Sequence, residues 1–120
     1  MDPVSDFNIK QPRGRDKRLR IATVRYLPRG VRKQDWPFDV WLPEVAPSAK
    51  LLREFQDGAI TAAQLFRRYR AEMKRPEARH TIALLGAVAE RTPISVGCHC
   101  ADREKCHRSV LSELIRAAMA

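Results

Sequence analysis

Pro93–Leu114 reads P-I-S-V-G-C-H-C-A-D-R-E-K-C-H-R-S-V-L-S-E-L and holds all three cysteines and two of the three histidines of the chain. Its apolar run, Ile94 to Cys98, leads into a short polar loop and then into an amphipathic run from His107. That order predicts strand, loop, helix. In the strand, Ile94, Val96, Cys98 and Cys100 share one face, and Ser95, Gly97 and His99 the other. After the loop, Val110, Leu111, Leu114, Ile115 and Ala118 make an apolar helical stripe. A helix start offers unpaired N–H groups and a partial positive charge, which suits an anion or a thiolate.

Three chemistries fit this segment. Cys98, Cys100 and Cys106 with His107 or His99 supply the thiolate and imidazole ligands that zinc prefers, with iron as a second candidate. The spacing C-x-C-x5-C-H is not the paired C-x2-C of most zinc knuckles. Alternatively, Cys100 and Cys106 are thiols activated by the helix start and nearby cations, acting as nucleophile or redox pair. The third chemistry is an anion pocket formed by the helix start with Arg108 and the Arg25/Arg29 cluster. His99-Cys100 with Arg108-Ser109 is similar to a phosphatase loop, but seven residues between Cys100 and Arg108 make a longer spacer than that loop has. Inert, buried cysteines are the plainer alternative.

Upstream, Leu19–Tyr26 is rich in β-formers and predicts the first strand, ended by the turn Leu27-Pro28-Arg29-Gly30. Arg25, Arg29, Arg32 and Lys33 cluster past that strand end, where open α/β sheets bind ligands. Arg25, Arg29 and Lys33 are therefore candidate anion ligands, with Asp39 a candidate partner for the cluster. A solvated basic loop fits the same composition. Gln34–Pro47 is broken by prolines and predicts a loop or short helical turns that pack Trp36, Phe38, Trp41 and Leu42 on the core.

Three helices are expected between the strands. Ser48 caps the first, with Leu51, Leu52 and Phe55 inward and Gly58 closing it. Thr61-Ala-Ala-Gln64 is a capping box, followed by the stripe Ala62, Leu65, Phe66, Tyr69, Met73. Pro76 opens a third helix that runs roughly from Glu77 to Glu90, with Ile82, Leu85 and Ala89 inward.

The bulk numbers bound the class. A chain of 120 residues with 44% hydrophobic and 31% charged content is one globular domain. Its net charge of +9, mostly arginine, favours phosphate- or carboxylate-bearing partners. A small anionic ligand is expected ahead of nucleic acid, because no zinc-finger, helix-turn-helix or base-stacking pattern stands out. No apolar run approaches the roughly 20 residues of a membrane span. No apolar signal segment opens the chain, and an odd number of crowded cysteines is a poor disulfide framework, so a cytoplasmic setting is expected. Residues 1–19 are polar with mixed charge and read as a flexible basic arm, leaving 20–120 as the domain.

Four segments carry a resemblance: V-R-Y-L-P-R-G-V-R-K at Val24–Lys33, D-x-W-L with A-P-S between Asp39 and Ser48, F-R-R-Y-R-A-E-M at Phe66–Met73, and C-H-R-S-x-L at Cys106–Leu111. Together they resemble the DUF488 family, with the first two close to its YeaO-like branch. Tyr26 and Leu27 depart from that branch's Leu-Trp, and Cys98 is an addition to the family's C…C-H-R-S pattern. The resemblance implies a compact α/β domain, with a small, largely parallel sheet flanked by about four helices. It also implies that Arg25, Arg29 and Lys33 approach the loop bearing Cys100, Cys106, His107 and Arg108. It implies no activity.

Overall fold

The computed structural model describes residues 2–27, 30, 32–99 and 106–119. Four parallel strands form one sheet: β1 (Val4–Asn8), β2 (Leu19–Ala22), β3 (Val40–Trp41) and β4 (Ile94–Cys98), in the order β1-β4-β2-β3. The helices are α1 (Ala49–Gln56), α2 (Ala62–Glu72), α3 (Pro76–Ala89) and α4 (His107–Ala118). This is the α/β domain that the sequence implies.

β4 is central. Val96 lies between Asp6 of β1 and Ile21 of β2, and every residue of β4 is buried. A strand covered on both faces reads as a continuous apolar run, which is how Ile94–Cys98 looks. The helical elements follow their start signals. Ser48 Oγ accepts the Leu51 N–H, the Thr61–Gln64 capping box is complete, and Pro76 stands at the start of α3. Leu51, Leu65, Tyr69, Ile82, Leu85, Leu111 and Ile115 meet Ile21, Ile94 and Val96 in the main core.

The second face is closed without a helix. Phe7, Ala22, Val24 and Phe38 cluster there, with Trp36 stacked on Phe38 at 4.7 Å between centroids. The Arg20 guanidinium lies 4.2 Å above the Phe7 ring and is held by Asp16, Gln11 O and Pro37 O. Gln34–Pro47 is largely the irregular segment expected, with helical turns at Lys33–Asp35 and Pro43–Val45, but it also supplies β3. Trp41 is not core. It remains 37% exposed and donates Nε1–H to Val24 O at 2.8 Å.

The N-terminal segment differs from the expected free arm. Val4–Asn8 pairs with β4 along its whole length, and Val4, Phe7 and Ile9 are buried. V-S-D-F-N is too short and polar to announce a strand. Its backbone is satisfied only because β4 offers an open edge. The following loop is tied by Arg13, which donates to Asp16 O and Arg18 O and pairs with Asp39. The first strand that the sequence announces is β2, and it ends at Ala22 rather than Tyr26. Among the described residues no helix is long and apolar enough to cross a membrane.

The topology creates a crevice. The chain leaves β2 toward β3 on one side, whereas it leaves β4 into α4, which packs on β1 and β4 on the other. Strands that diverge in this way open a cleft at their carboxyl ends. Beneath it, Phe7 lies directly over Gly97, where a Cβ would overlap the ring. Gly97→Ala is expected to lower stability by about 1–3 kcal/mol, the usual cost of overpacking, seen as a lower urea midpoint at unchanged slope.

Candidate functional site

A cavity of ≈ 270 Å³ occupies this crevice. Arg25 and Leu27 beyond β2, Pro47 before α1, Cys98 and His99 at the end of β4, and His107 at the start of α4 line it. Arg25 is anchored on the wall by its Nε–H to Pro47 O at 3.1 Å and its Nη2–H to Ala46 O at 3.3 Å. Two of its five donors are thereby placed on protein carbonyls.

Cys98 ends β4 and Cys106 caps α4, and the structure joins them as a disulfide with Cα atoms 7.6 Å apart. The odd cysteine count did not suggest this pair. It arises because α4 folds back onto the sheet and brings its first residue beside the strand end. The spacing is wider than the roughly 4.4–6.8 Å usual for bridged cysteines.

His107 sits behind the sulfurs. Its Nε2 lies 2.8 Å from Thr23 O, and a carbonyl only accepts, so Nε2 carries the proton. Nδ1 is then the lone-pair nitrogen, and it lies 3.7 Å from Cys106 Sγ. The Tyr69 ring meets the imidazole edge-on at 5.2 Å, fixed by its hydroxyl donating to Val45 O at 2.6 Å. Burial lowers the His107 pKa to about 4, against the raising effect of the Thr23 carbonyl and with a further lowering from Arg108.

Arg108 does not join Arg25 on the cleft wall. It is buried beneath α4, where Nη1 donates to Phe7 O at 3.1 Å and reaches Cys98 Sγ at 3.6 Å, and Nε lies 3.4 Å from Asp6 Oδ1. The expected pocket of Arg25, Arg29, Lys33 and Arg108 is thus corrected at Arg108. Arg108 is drawn inward because β1, unseen in the sequence, supplies a carboxylate and a carbonyl there. Asp39 is also corrected. It stands at the opposite end of the sheet, accepting the Arg20 N–H at 2.9 Å and pairing with Arg13 at 2.6 Å. Burial raises its pKa, but the Arg20 N–H and Arg13 outweigh this and the net shift is downward. Lys33 lies in an exposed helical turn away from the cavity lining. Cys100 and Arg29 lie outside the described residues.

The structure therefore brings together Arg25, Cys98, Cys106 and His107 from the sequence-derived set. The ligand atoms of Cys98, Cys106 and His107 all lie within 4.8 Å of one another, a grouping able to hold a metal ion when the cysteines are reduced. Sequence reasoning missed Thr23 and Tyr69 as supports of His107, and Asp6 and Phe7 as partners of Arg108. Tyr69 was visible only as part of a core stripe, and Thr23 gave no signal.

The His107 environment sets a pH dependence. Its folded pKa lies below the ordinary value of 6.5, so above that pH both states are neutral and contribute no difference. As pH falls toward about 4, the unfolded chain gains a proton that the folded chain refuses. Stability is therefore expected to fall across that window by about 3 kcal/mol and to level off below it. Urea unfolding of the protein and of His107→Asn at about pH 7.5 and 4.5 measures this; the variant should lose that share of the slope.

The model of DUF488-N3a, described as the active DUF488-N3 subclade, matches residues 4–119. The match begins at β1, as the folded domain does. The "Uncharacterized protein YeaO" of Escherichia coli (strain K12) is 28% identical over 98 residues, covering 82% of this chain and 84% of that protein. No solved structure matches. With the family model spanning sheet, helices and cysteine segment alike, the chain belongs to the DUF488 family.

Proposed function

We propose that this chain is a small thiol-dependent protein of the cytoplasm, whose cleft receives a small anionic or phosphorylated ligand and presents it to the Cys98–Cys106 pair. The observation that carries this reading is the placement of Cys98 and the neutral imidazole of His107 at a cleft wall that also bears Arg25, with the Cys106 sulfur directly behind them. Arginine offers a fixed cation and planar donors for a carboxylate or phosphate. A thiolate beside it is the group able to do covalent chemistry. The description of the matching subclade as active agrees with a centre that carries out chemistry.

Alkylation of the reduced protein tests the pairing of thiol and cation. With ordinary thiols, neutral iodoacetamide reacts faster than anionic iodoacetate. Here iodoacetate is expected to be the faster reagent, and Arg25→Gln to reverse that order by about tenfold, equivalent to ~1.4 kcal/mol. Thiols that all react no faster than free cysteine, with either reagent, would remove the proposal.

A second reading has its own support. A histidine that donates one ring N–H to a backbone carbonyl has the tautomer that metal-binding histidines use, and His107 does so through Thr23. Cys98, Cys106 and His107 would then hold zinc or iron, with Cys100 an expected further ligand. A bound ion would supply a Lewis acid at the cleft wall. Protein purified anaerobically without a tag should, on this reading, carry about one metal per chain and show protected thiols until a chelator is added.

A further inference from the structure

We propose that the two cysteines divide the steps of a dithiol–disulfide exchange, with Cys98 attacking, Cys106 resolving, and small anionic disulfides as the substrate class. This rests on the thiol reading above and deepens it.

The two sulfurs have different surroundings. Cys98 lies on the cavity wall, and its Sγ is 3.6 Å from Nη1 of Arg108. A buried guanidinium at that distance favours the thiolate over the thiol. Asp6, on the far side of Arg108, fixes the guanidinium in place. Both cysteines are buried, but Cys106, unlike Cys98, does not line the cavity. Its Sγ faces Nδ1 of His107, a lone-pair nitrogen held in that tautomer by the Thr23 carbonyl. One sulfur thus faces the cavity, and the other lies behind it. The disulfide that joins them is the end state of the cycle.

The steps balance. Cys98 thiolate attacks one sulfur of the bound disulfide R–S–S–R, the S–S bond breaks, and R–S⁻ leaves while Cys98 is held as a mixed disulfide. Cys106 gives its proton to the first R–S⁻ released and attacks Cys98 Sγ, and the second R–S⁻ leaves. The substrate disulfide is reduced to two thiols, and the protein dithiol is oxidised to Cys98–Cys106. A cellular dithiol reductant returns the pair to its starting state. Arg25, at the cleft wall, selects substrates whose R group carries a carboxylate or phosphate.

The test uses dithiodiglycolate, a small dianionic disulfide, on three full-length chains reduced beforehand: Cys100→Ser, and that variant with either Cys98→Ser or Cys106→Ser added. The Cys100→Ser chain is expected to release two equivalents of thioglycolate and end free of adduct, lighter by the mass of two hydrogens. With Cys106→Ser, one equivalent should be released and a stable adduct should remain on Cys98, located by peptide mass spectrometry. With Cys98→Ser, release should be at least about tenfold slower, since the remaining thiol is buried and off the cavity wall. Labelling of Cys106 in the Cys98→Ser chain as fast as that of Cys98 in the Cys106→Ser chain would overturn the division of roles, yet leave the thiol reading standing. Reaction of neither variant faster than free cysteine would remove both.

Discussion

Arg108 is the residue on which the arrangement of this molecule turns. A guanidinium cannot be buried without partners, because the cost of its desolvation far exceeds what a single contact returns. Here it sits in the first turn of α4, a poor place for a cation by the helix dipole alone. The partners come from other elements: the Asp6 carboxylate and the Phe7 carbonyl from β1, and the Cys98 sulfur from β4. Satisfying one charge thus sets β1 beside β4, seats the start of α4 over both, and leaves His107 directed at Thr23 and the sulfur pair.

The same economy shapes the cleft. A parallel sheet needs long crossovers, and the direction of each crossover decides where the strand ends are left open. β2 and β4 are neighbours whose chains depart to opposite sides, and the cavity lies at their carboxyl ends. Gly97 lets Phe7 close the face beneath, and Tyr69 closes the wall behind His107. Chemistry-bearing groups therefore sit at the mouth of a well-packed core, and their orientations are fixed by backbone carbonyls at Thr23, Ala46 and Pro47.

Two cationic systems that look alike in sequence do different work. Arg25 is held at the cavity wall by carbonyl oxygens. Arg20 and Arg13, with Asp16 and Asp39, close the other end of the sheet. Arginine is suited to both uses because its planar donors satisfy several carbonyls at once while its face rests on an aromatic ring, as over Phe7.

The sequence by itself determined the parts whose signals are local. The cap at Ser48, the capping box at Thr61, Pro76 at the head of α3, the apolar strand Ile94–Cys98 and the stripe of α4 depend on neighbours within a few residues, and each stands where its pattern put it. The gathering of cysteine, histidine and arginine near the β4–α4 junction was equally plain, because that junction is continuous in the chain. Tertiary structure alone decided what each group faces. β1 exists only because β4 has an open edge, and without β1 no reading of residues 93–114 could send Arg108 inward instead of to the cleft. The tautomer of His107 depends on a carbonyl 84 residues away, and the pairing of Cys98 with Cys106 on the fold-back of α4. Asp39 went to Arg13 rather than the cleft because its strand enters the sheet at the end opposite the cysteines. Residue type and local period are carried by the chain, whereas the partners of buried polar groups are set by elements far apart in sequence, and those partners assign the chemistry.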